Sequence, residues 1–253
     1  MILKLLSYNI RYGGAGRERE LSAVVRACQA DIVVLQEATR PEVVRQLSAG
    51  TDMQFWAARA DHSLAYLSRL PVAHHEWHWP RGSRRAFMEI VPEGLNLRVY
   101  GVHLSAVHSA ITERRRMREM RALLAWIAQH RDEGFHLLAG DFNTLAPGEL
   151  LETRRLPPRL RPLVWLSGGR VRYQTIQIML DAGYRDAFRH LYPDAPSEAG
   201  YTFPTWDPHV RLDYFFLPVA DGERLKDCRV VRGGSPLAEA SDHFPLLAEV
   251  EVV

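Results

Sequence analysis

Six short segments of the sequence carry side chains suited to metal binding and to attack on phosphorus. Each offers a carboxylate, an amide or an imidazole, and most of them end or interrupt an apolar run. The residues concerned are Asn9, Glu37, His103, Asp141 with Asn143, Asp213, and Asp242 with His243. A folded sheet brings the residues at the ends of its strands to a common rim, so these groups are expected to converge. The set predicts a metal-dependent phosphoesterase.

The segment with the most direct chemistry is Leu-Leu-Ala-Gly followed by Asp141, Phe142 and Asn143. A buried strand that runs into alternating polar residues places Asp141 and Asn143 on the same side of the strand end. The aspartate can deprotonate a water molecule, and the amide can hold that water or a phosphate oxygen. Phosphoryl transfer depends mainly on such positioning and on charge neutralisation. An ordinary turn, in which Asp and Asn are common, is the alternative interpretation.

Glu37 and Asn9 each follow an apolar strand and supply oxygen ligands. Oxygen ligands suit a hard cation such as Mg²⁺ or Mn²⁺, which keeps several waters and uses few protein groups. This pair therefore predicts a divalent metal site. Taken without the other segments, Glu37 is equally consistent with an ordinary surface glutamate.

Asp213 lies inside an apolar strand, and Asp242 and His243 directly precede the last apolar run. A buried carboxylate needs a partner, and His243 is a suitable partner for Asp213. Paired in this way, His243 is held protonated and can stabilise charge that develops on phosphorus. His103, which closes another strand, offers a second imidazole. An Asp–His hydrogen bond in the core, without catalysis, is the alternative.

The composition fits one globular unit. The chain has 253 residues, of which 47% are hydrophobic, enough for one large core. No linker divides it and the polar segments span most of its length, so residues 1–253 are predicted to form a single domain. Cys28 and Cys228 are expected to be buried free thiols. The net charge of +2 and the pI near 8.6 fall short of values typical of dedicated nucleic-acid-binding domains.

The sequence shows no feature of a membrane protein. No apolar run reaches the roughly 20 residues of a membrane span, and the apolar stretch at the N-terminus is too short for a secretory signal. A soluble, cytoplasmic protein is predicted, and no obligate protein partner is evident.

Apolar runs of strand length recur at residues 2–8, 31–36, 63–68, 72–79, 85–91, 96–103, 135–139, 211–217, 227–232 and 245–252. Helical spacing appears at residues 21–28, from about 112 to 131 and from about 172 to 182. The run from 54 to 103 has no helical interruption and is interpreted as an antiparallel meander. So many strands, with helices between only some of them, favour an α/β fold of two packed sheets with helices outside.

Taken in order along the chain, the six segments resemble the endonuclease/exonuclease/phosphatase superfamily. Its members include DNase I, abasic-site endonucleases, phosphoinositide phosphatases, deadenylases and bacterial sphingomyelinases. The resemblance implies a four-layered α/β sandwich of two mixed β-sheets flanked by helices. The segment Tyr-Thr-Phe-Pro-Thr-Trp206, before Arg211 and Asp213, is further similar to bacterial metal-dependent hydrolases of this superfamily.

The resemblance also implies the ligands of the metal. Asn9 and Glu37 would hold Mg²⁺ or Mn²⁺, and Asp242 would be a further ligand for metal or water. One position departs from the pattern of the related hydrolases: their Arg-x-x-Gln is here Arg116 followed by Glu119. This departure is expected to affect packing rather than chemistry.

The same resemblance implies the catalytic roles. Asp141 would activate the attacking water, and Asn143 would orient the water or the phosphate. Asp213 would pair with His243, and His103 would contact the scissile phosphate. The additional signature of a phosphoinositide 5-phosphatase is missing around Asp213, and no abasic-site insertion set is recognisable, so these two substrates are less favoured.

Two stretches rich in arginine and tryptophan, residues 74–85 and 145–172, favour a nuclease acting on DNA or RNA. Guanidinium groups can follow phosphates, and indoles can stack on bases. The candidate substrate-binding residues are Arg81, Arg84, Trp165, Arg170 and Trp206.

Several alternatives remain at this stage. The arginine-rich stretches are also consistent with solvated loops, and the aromatic loops with a phospholipid phosphodiesterase that rests on a membrane. A small-molecule phosphatase and a non-catalytic nucleic-acid-binding module are further alternatives. A non-catalytic module is expected to have lost at least one metal or catalytic residue, whereas this sequence retains all of them. A zinc site at His74, His75 and His78 is not favoured, because no further Cys or His cluster completes it.

Overall fold

The strands form from the apolar runs of the sequence. The computed structural model describes residues 1–106, 109–130, 134–149, 151–152, 154–155, 158, 161–166, 172–234 and 236–252. Its strands are β1 (Ile2–Asn9), β2 (Ile32–Gln36), β3 (Phe55–Ala57), β4 (Ala65–Ser68), β5 (Val72–His78), β6 (Phe87–Pro92), β7 (Leu97–His103), β8 (Phe135–Asp141), β9 (Tyr184–Asp186), β10 (Asp213–Pro218), β11 (Leu225–Val230) and β12 (Leu246–Glu251).

The helices are α1 (Glu18–Cys28), α2 (Pro41–Thr51), α3 (Ala110–His130), α4 (Arg161–Leu166), α5 (Gln174–Asp181), α6 (Ala187–Leu191), α7 (Ser197–Gly200) and α8 (Leu237–Ala240). Short 3-10 turns lie at Tyr12–Gly14 and Val219–Arg224. Within the described residues, no helix combines the length and the apolarity needed to cross a bilayer.

The strands are arranged in two six-stranded sheets. The order is β11-β12-β1-β2-β4-β3 in the first sheet and β5-β6-β7-β8-β10-β9 in the second. Each sheet has one parallel pair, β1 with β2 and β7 with β8, among antiparallel neighbours. The two mixed sheets confirm the predicted fold class.

Helices cover the outer face of each sheet, so the molecule has four layers. The inner faces of the sheets pack against each other through residues such as Leu5, Val34 and Leu137. On the first sheet, α1 and α2 bury Val25 and Leu47, with their neighbours, against it. On the second sheet, α3 and α5 contribute the corresponding apolar faces. Strands buried on both faces explain the continuous apolar runs in the sequence.

The predicted meander at residues 54–103 is wrong in one respect. β3 and β4 pair in the first sheet, whereas β5, β6 and β7 pair in the second. The chain therefore crosses between the sheets just before β5. Helix α2 and the three-residue strands β3 and β9 were not predicted, whereas the buried free thiols Cys28 and Cys228 were.

Candidate active site

The register of the second sheet places three of the predicted residues side by side. On β8, Asp141 lies opposite His103 of β7 and opposite Asp213 of β10. The preceding Gly140 is required by packing, because a Cβ atom there would lie 1.8 Å from the Val102 carbonyl oxygen. In the first sheet, Asn9 lies opposite Gln36, so Glu37 follows directly beside it.

The side chains converge on one oxygen atom, Asp141 Oδ2. The Asn9 amide nitrogen donates to it at 3.0 Å and also to Glu37 Oε1 at 3.3 Å. The Nε2 atoms of His103 and His243 lie 3.8 Å and 4.0 Å from the same oxygen. Residues from both sheets, far apart in sequence, therefore share one site.

His243 and Asp213 form the hydrogen-bonded pair that the sequence predicts. His243 Nδ1 lies 2.8 Å from Asp213 Oδ2, and both side chains are buried. The other oxygen of Asp213 is buried and has no hydrogen-bond partner among the described residues. The loop that carries His243 is tied to the first sheet, because Ser241 Oγ donates to the Asn9 carbonyl at 2.6 Å.

Glu37 lies at a sharp change of chain direction after β2. Its φ is 55°, and its second oxygen, Oε2, accepts the Tyr12 backbone N–H at 2.6 Å. Four of the seven described non-glycine residues with positive φ adjoin this site, namely Arg11, Tyr12, Glu37 and Asn143. Such conformations cluster where surrounding contacts hold a functional site in place.

Asn143 takes a different position from the one expected. The strand ends at Asp141, and Asn143 has a φ of 52° rather than an extended conformation. Its backbone N–H donates to Asp141 Oδ1 at 2.8 Å, and its side-chain amide donates to the Leu104 carbonyl at 3.2 Å. Asn143 therefore holds the Asp141 carboxylate and the segment that follows β7. Asn suits this position because it tolerates the left-handed region better than most residues.

The surroundings of the two imidazoles shift their pKa values in opposite directions. Burial, the Arg85 guanidinium and the charge on His243 lower the pKa of His103 to about 3. Burial opposes the charge on His243 as well, but the adjoining Asp213 carboxylate outweighs it and raises the pKa of His243 to about 10. At neutral pH, His103 is therefore neutral and His243 is protonated.

Asp141 is a poor acid in this environment. Burial, and then the nearby Asp213 carboxylate, raise the pKa of Asp141 to about 7. A carboxylate with such a pKa is matched to proton transfer near neutral pH. Asp141, Asp213 and His243 form the compact group of possible metal ligands among the described residues. However, the hydrogen bond between His243 and Asp213 occupies one imidazole nitrogen, and the protonated ring is a poor ligand.

Two of the three predicted metal ligands, Glu37 and Asp242, offer carboxylate oxygens, whereas the oxygen of Asn9 is engaged elsewhere. Glu37 is half-buried and can turn its carboxylate to a cation, and Asp242 Oδ2 lies 3.3 Å from Arg11 Nε. Asn9 Oδ1 instead accepts the Arg11 backbone N–H at 2.9 Å. As placed, Asn9 presents its nitrogen to the carboxylates, so it would need the opposite amide orientation to ligate a metal.

A buried group of charged residues on α3 supports the loops that carry the site. Arg116 is fully buried and donates to the Ser105 carbonyl at 2.8 Å, just after His103. Glu119 accepts from the Ser105 N–H and hydroxyl at 3.1 Å and 2.7 Å. The Arg116–Glu119 departure noted in the sequence thus fixes the segment after β7.

Glu113, also on α3, supports the segment after β8. Its Oε2 accepts from Thr144 Oγ1 at 3.1 Å and from Arg116 at 2.8 Å. Its Oε1 accepts from the backbone and hydroxyl of Thr175 at 2.8 Å and 2.9 Å. A second buried arginine, Arg211, donates to Glu149 at 2.6 Å close to Asp213. Sequence reasoning assigned no role to these supports, because their partners are far apart along the chain.

The predicted substrate-binding residues are not grouped together. Arg84 lines a cavity beside His103, whereas Arg81 is exposed and is not among the described residues that line this cavity. Trp206 is 66% exposed, and its ring lies 6.4 Å from Phe203, which in turn contacts the His243 ring. Trp165 is 76% exposed on α4. Arg170 lies outside the described residues.

Two residues near His103 were not among the predicted site residues. Ser63 Oγ is hydrogen-bonded to His103 Nδ1, and Arg85 acts on the charge of that imidazole. His78, one of the histidines of the unfavoured zinc site, instead pairs with Glu89. Its Nε2 lies 2.9 Å from Glu89 Oε2, and Arg98 pairs with the other oxygen of Glu89.

Solved structures with the same fold span the whole chain. Humanized TDP2 of D. rerio aligns with a TM-score of 0.67 and 16% identity, covering 99% of both chains. The 3′ phosphatase NExo from Neisseria, bound to product DNA hairpin, aligns with a TM-score of 0.67 and 21% identity, covering 98% of this chain and 99% of that one. An AP endonuclease from Archaeoglobus fulgidus aligns with a TM-score of 0.72 and 16% identity, covering 97% and 98%.

A comparison with curated proteins found no significant match. The sequence nevertheless matches the Endonuclease/Exonuclease/phosphatase family over residues 6–243, which includes every residue of the site. With the DNase I-like arrangement of two sheets and four layers, this match places the chain: it belongs to the Endonuclease/Exonuclease/phosphatase family.

Proposed function

We propose that the protein is a Mg²⁺- or Mn²⁺-dependent phosphodiesterase that acts on nucleic acid. The observation that carries the proposal is the convergence on Asp141 Oδ2, which Asn9, His103 and His243 approach within 4.0 Å. The family match agrees with it, as do two of the similar solved structures, a 3′ phosphatase bound to product DNA and an AP endonuclease.

Asp141 is the proposed base. It accepts a proton from a water molecule as the water oxygen forms its bond to phosphorus. The ester P–O bond breaks, and its electron pair leaves with the ester oxygen, which takes a proton from solvent. The Asn143 backbone N–H donates to Oδ1 of this carboxylate and holds it in place. Such positioning of the nucleophile supplies most of what phosphoryl transfer requires of a protein.

The two imidazoles have different proposed roles. Protonated His243, held by Asp213, places positive charge beside the phosphoryl oxygens as negative charge develops on them. Neutral His103 can carry its proton on Nε2 when the Ser63 hydroxyl donates to Nδ1. That Nε2–H is then a hydrogen-bond donor to a non-bridging oxygen.

The donor set fits a hard divalent cation. Glu37, Asp141, Asp213 and Asp242 bring four carboxyl groups together, against the positive charges of Arg11 and His243. Glu37, with Asp242 and a reoriented Asn9, would hold the ion. When bound, the ion neutralises phosphate charge and lowers the pKa of bound water.

A substrate panel tests the proposal. Hydrolysis of bis-p-nitrophenyl phosphate, single-stranded DNA, duplex DNA, RNA and phospholipid vesicles is measured at saturating Mg²⁺ and again in the presence of excess chelator. We expect metal-dependent cleavage of at least one nucleic acid, abolished by chelator. Cleavage of phospholipid alone, or activity unchanged by chelator, would refute it.

The single-domain organisation of residues 1–253 and the cytoplasmic location stay predictions.

A further inference from the structure

A cavity of about 150 Å³ opens beside the catalytic cluster, with His103 among its lining residues. Its walls come from the loop before β4, the end of β5 and the turn that follows β5. Ser63 also lines the cavity and is hydrogen-bonded to His103. A ligand in this cavity would therefore adjoin any phosphate that His103 contacts.

One wall of the cavity is aromatic and held in a fixed orientation. Trp77 Nε1 donates to the Leu64 carbonyl at 3.0 Å. The His62 ring lies edge-on to Trp77 and Trp79, at centroid distances of 6.5 Å and 5.2 Å. The Arg59 guanidinium lies 5.6 Å and 5.5 Å from the same two indole centroids. Trp79 nevertheless remains 49% exposed, so it keeps an open surface despite these contacts.

The remaining wall is basic. Arg84 and Arg85 line the cavity, and Asp61 is the single acid among the described residues that line it. Guanidinium groups beside an indole offer the two contacts that a nucleotide requires, namely a charged partner for phosphate and a flat face for a base.

We propose that this cavity binds the nucleobase of a nucleotide adjoining the scissile phosphate, stacked on Trp79, with Arg84 and Arg85 contacting a phosphate of the same strand. This inference rests on the proposed function and specifies its substrate class. A lipid surface fits the cavity less well, because Trp79 is the one exposed indole among its described lining residues and is a small apolar anchor for a membrane.

Binding to an uncleaved strand provides the test. Asp141→Asn protein is titrated, in Mg²⁺, into a fluorescein-labelled single-stranded oligonucleotide and into copies with one abasic tetrahydrofuran residue placed at successive positions. Introducing Trp79→Ala into that background should weaken binding of the intact strand by about 5- to 100-fold. Trp79→Phe should restore most of the affinity, because a phenyl ring still stacks.

The abasic strands make the test specific. At one position, loss of the base should weaken binding by a similar factor, and Trp79→Ala should then have no further effect. Tyr192→Ala, which removes another exposed aromatic ring that hydrogen-bonds to Asp227, serves as the matched control and should bind like the parent.

The same variants are also tested for sedimentation with phospholipid vesicles. Three outcomes would overturn the inference: equal weakening of intact and abasic strands by Trp79→Ala, no weakening of either, or an effect of Trp79→Ala on vesicle binding alone. Because the readout is binding, the two proposals fail separately. If Trp79→Ala weakens binding only when the nucleobase is present, but no metal-dependent hydrolysis is found, the proposed function alone is refuted. If hydrolysis is found, but the effect of Trp79→Ala does not depend on the nucleobase, the nucleobase site alone is refuted.

Discussion

The two sides of the candidate site differ in how firmly they are held. The Asp141 side consists of His103, Asp141, Asp213 and His243, whose side chains are between 1% and 7% exposed. The Glu37 side consists of Arg11, Glu37 and Asp242, and here the side chains of Arg11 and Asp242 are 40% and 17% exposed. One side is enclosed and the other is open to water.

The supports of the two sides differ in the same sense. Buried ion pairs on α3 and around Arg211 lie behind the Asp141 side. On the Glu37 side, the Glu37 carboxylate accepts the Tyr12 backbone N–H and the Asn9 amide. A base must be placed accurately, whereas a hydrated Mg²⁺ ion keeps several waters and needs few protein ligands. The difference agrees with the proposed division, in which proton transfer takes place on the enclosed side and the cation binds on the open side.

The largest effect is expected from Asp141→Asn. The amide keeps the shape of the side chain but cannot accept the proton, so kcat for bis-p-nitrophenyl phosphate should fall by about 10³-fold or more. Steady-state assays at saturating Mg²⁺ measure this. Asp194→Asn, at an exposed position, is the matched control and should retain full activity. Near-normal turnover by Asp141→Asn would show that Asp141 is not the catalytic base.

The next effect concerns His243 through its partner. Asp213→Asn removes the carboxylate that raises the pKa of His243 to about 10, so the imidazolium loses its stabilisation and its pKa falls. Activity that needs protonated His243 persists below that pKa and declines above it. The alkaline limb of the pH–rate profile should therefore move to lower pH, with kcat at pH 8 reduced by roughly 10²-fold. An alkaline limb that stays in place would contradict the role of His243.

Glu37→Gln tests the open side. Loss of the anionic ligand should raise the Mg²⁺ concentration for half-maximal activity by about 10- to 100-fold, while saturating Mg²⁺ restores most of kcat. Metal titrations of activity measure both quantities, and Glu42→Gln, on the exposed face of α2, is the control. A loss of kcat that no metal concentration restores would place Glu37 with the enclosed catalytic groups instead.

The smallest effect is expected from Glu119→Gln, which restores the residue typical of the related hydrolases. The amide oxygen can still accept one hydrogen bond from Ser105, so the free energy of unfolding should change by about 1 kcal/mol or less. Urea denaturation checks this value. A change of activity beyond about twofold would show that the departure affects chemistry and not only packing.

Much of the fold was predictable because its strands are buried. Burial on both faces produces continuous apolar runs, and most predicted strand limits lie within two or three residues of those observed. The allocation of strands to sheets was less accessible: nothing local in residues 54–103 distinguishes β4, which joins the first sheet, from β5, which joins the second.

For the site, the sequence predicted which groups meet but not how they are held. Asp213 and His243 form the expected pair because each needs a polar partner in an apolar setting. The left-handed conformation of Asn143 could not be predicted, because an Asp-x-Asn sequence is compatible with both an extended strand and a turn. The contacts of Glu113 with Thr144 and Thr175 join residues 31 and 62 positions apart, beyond any local pattern.

The position of a bound Mn²⁺ ion tests the division of labour between the two sides most directly. In crystals of the protein soaked with Mn²⁺, anomalous scattering should show an ion within coordination distance of a Glu37 carboxylate oxygen, with water ligands between it and Asp141. An ion bound only elsewhere, for example between His74 and Glu89, or the absence of any ion beside Glu37 at saturating Mn²⁺, would contradict the account.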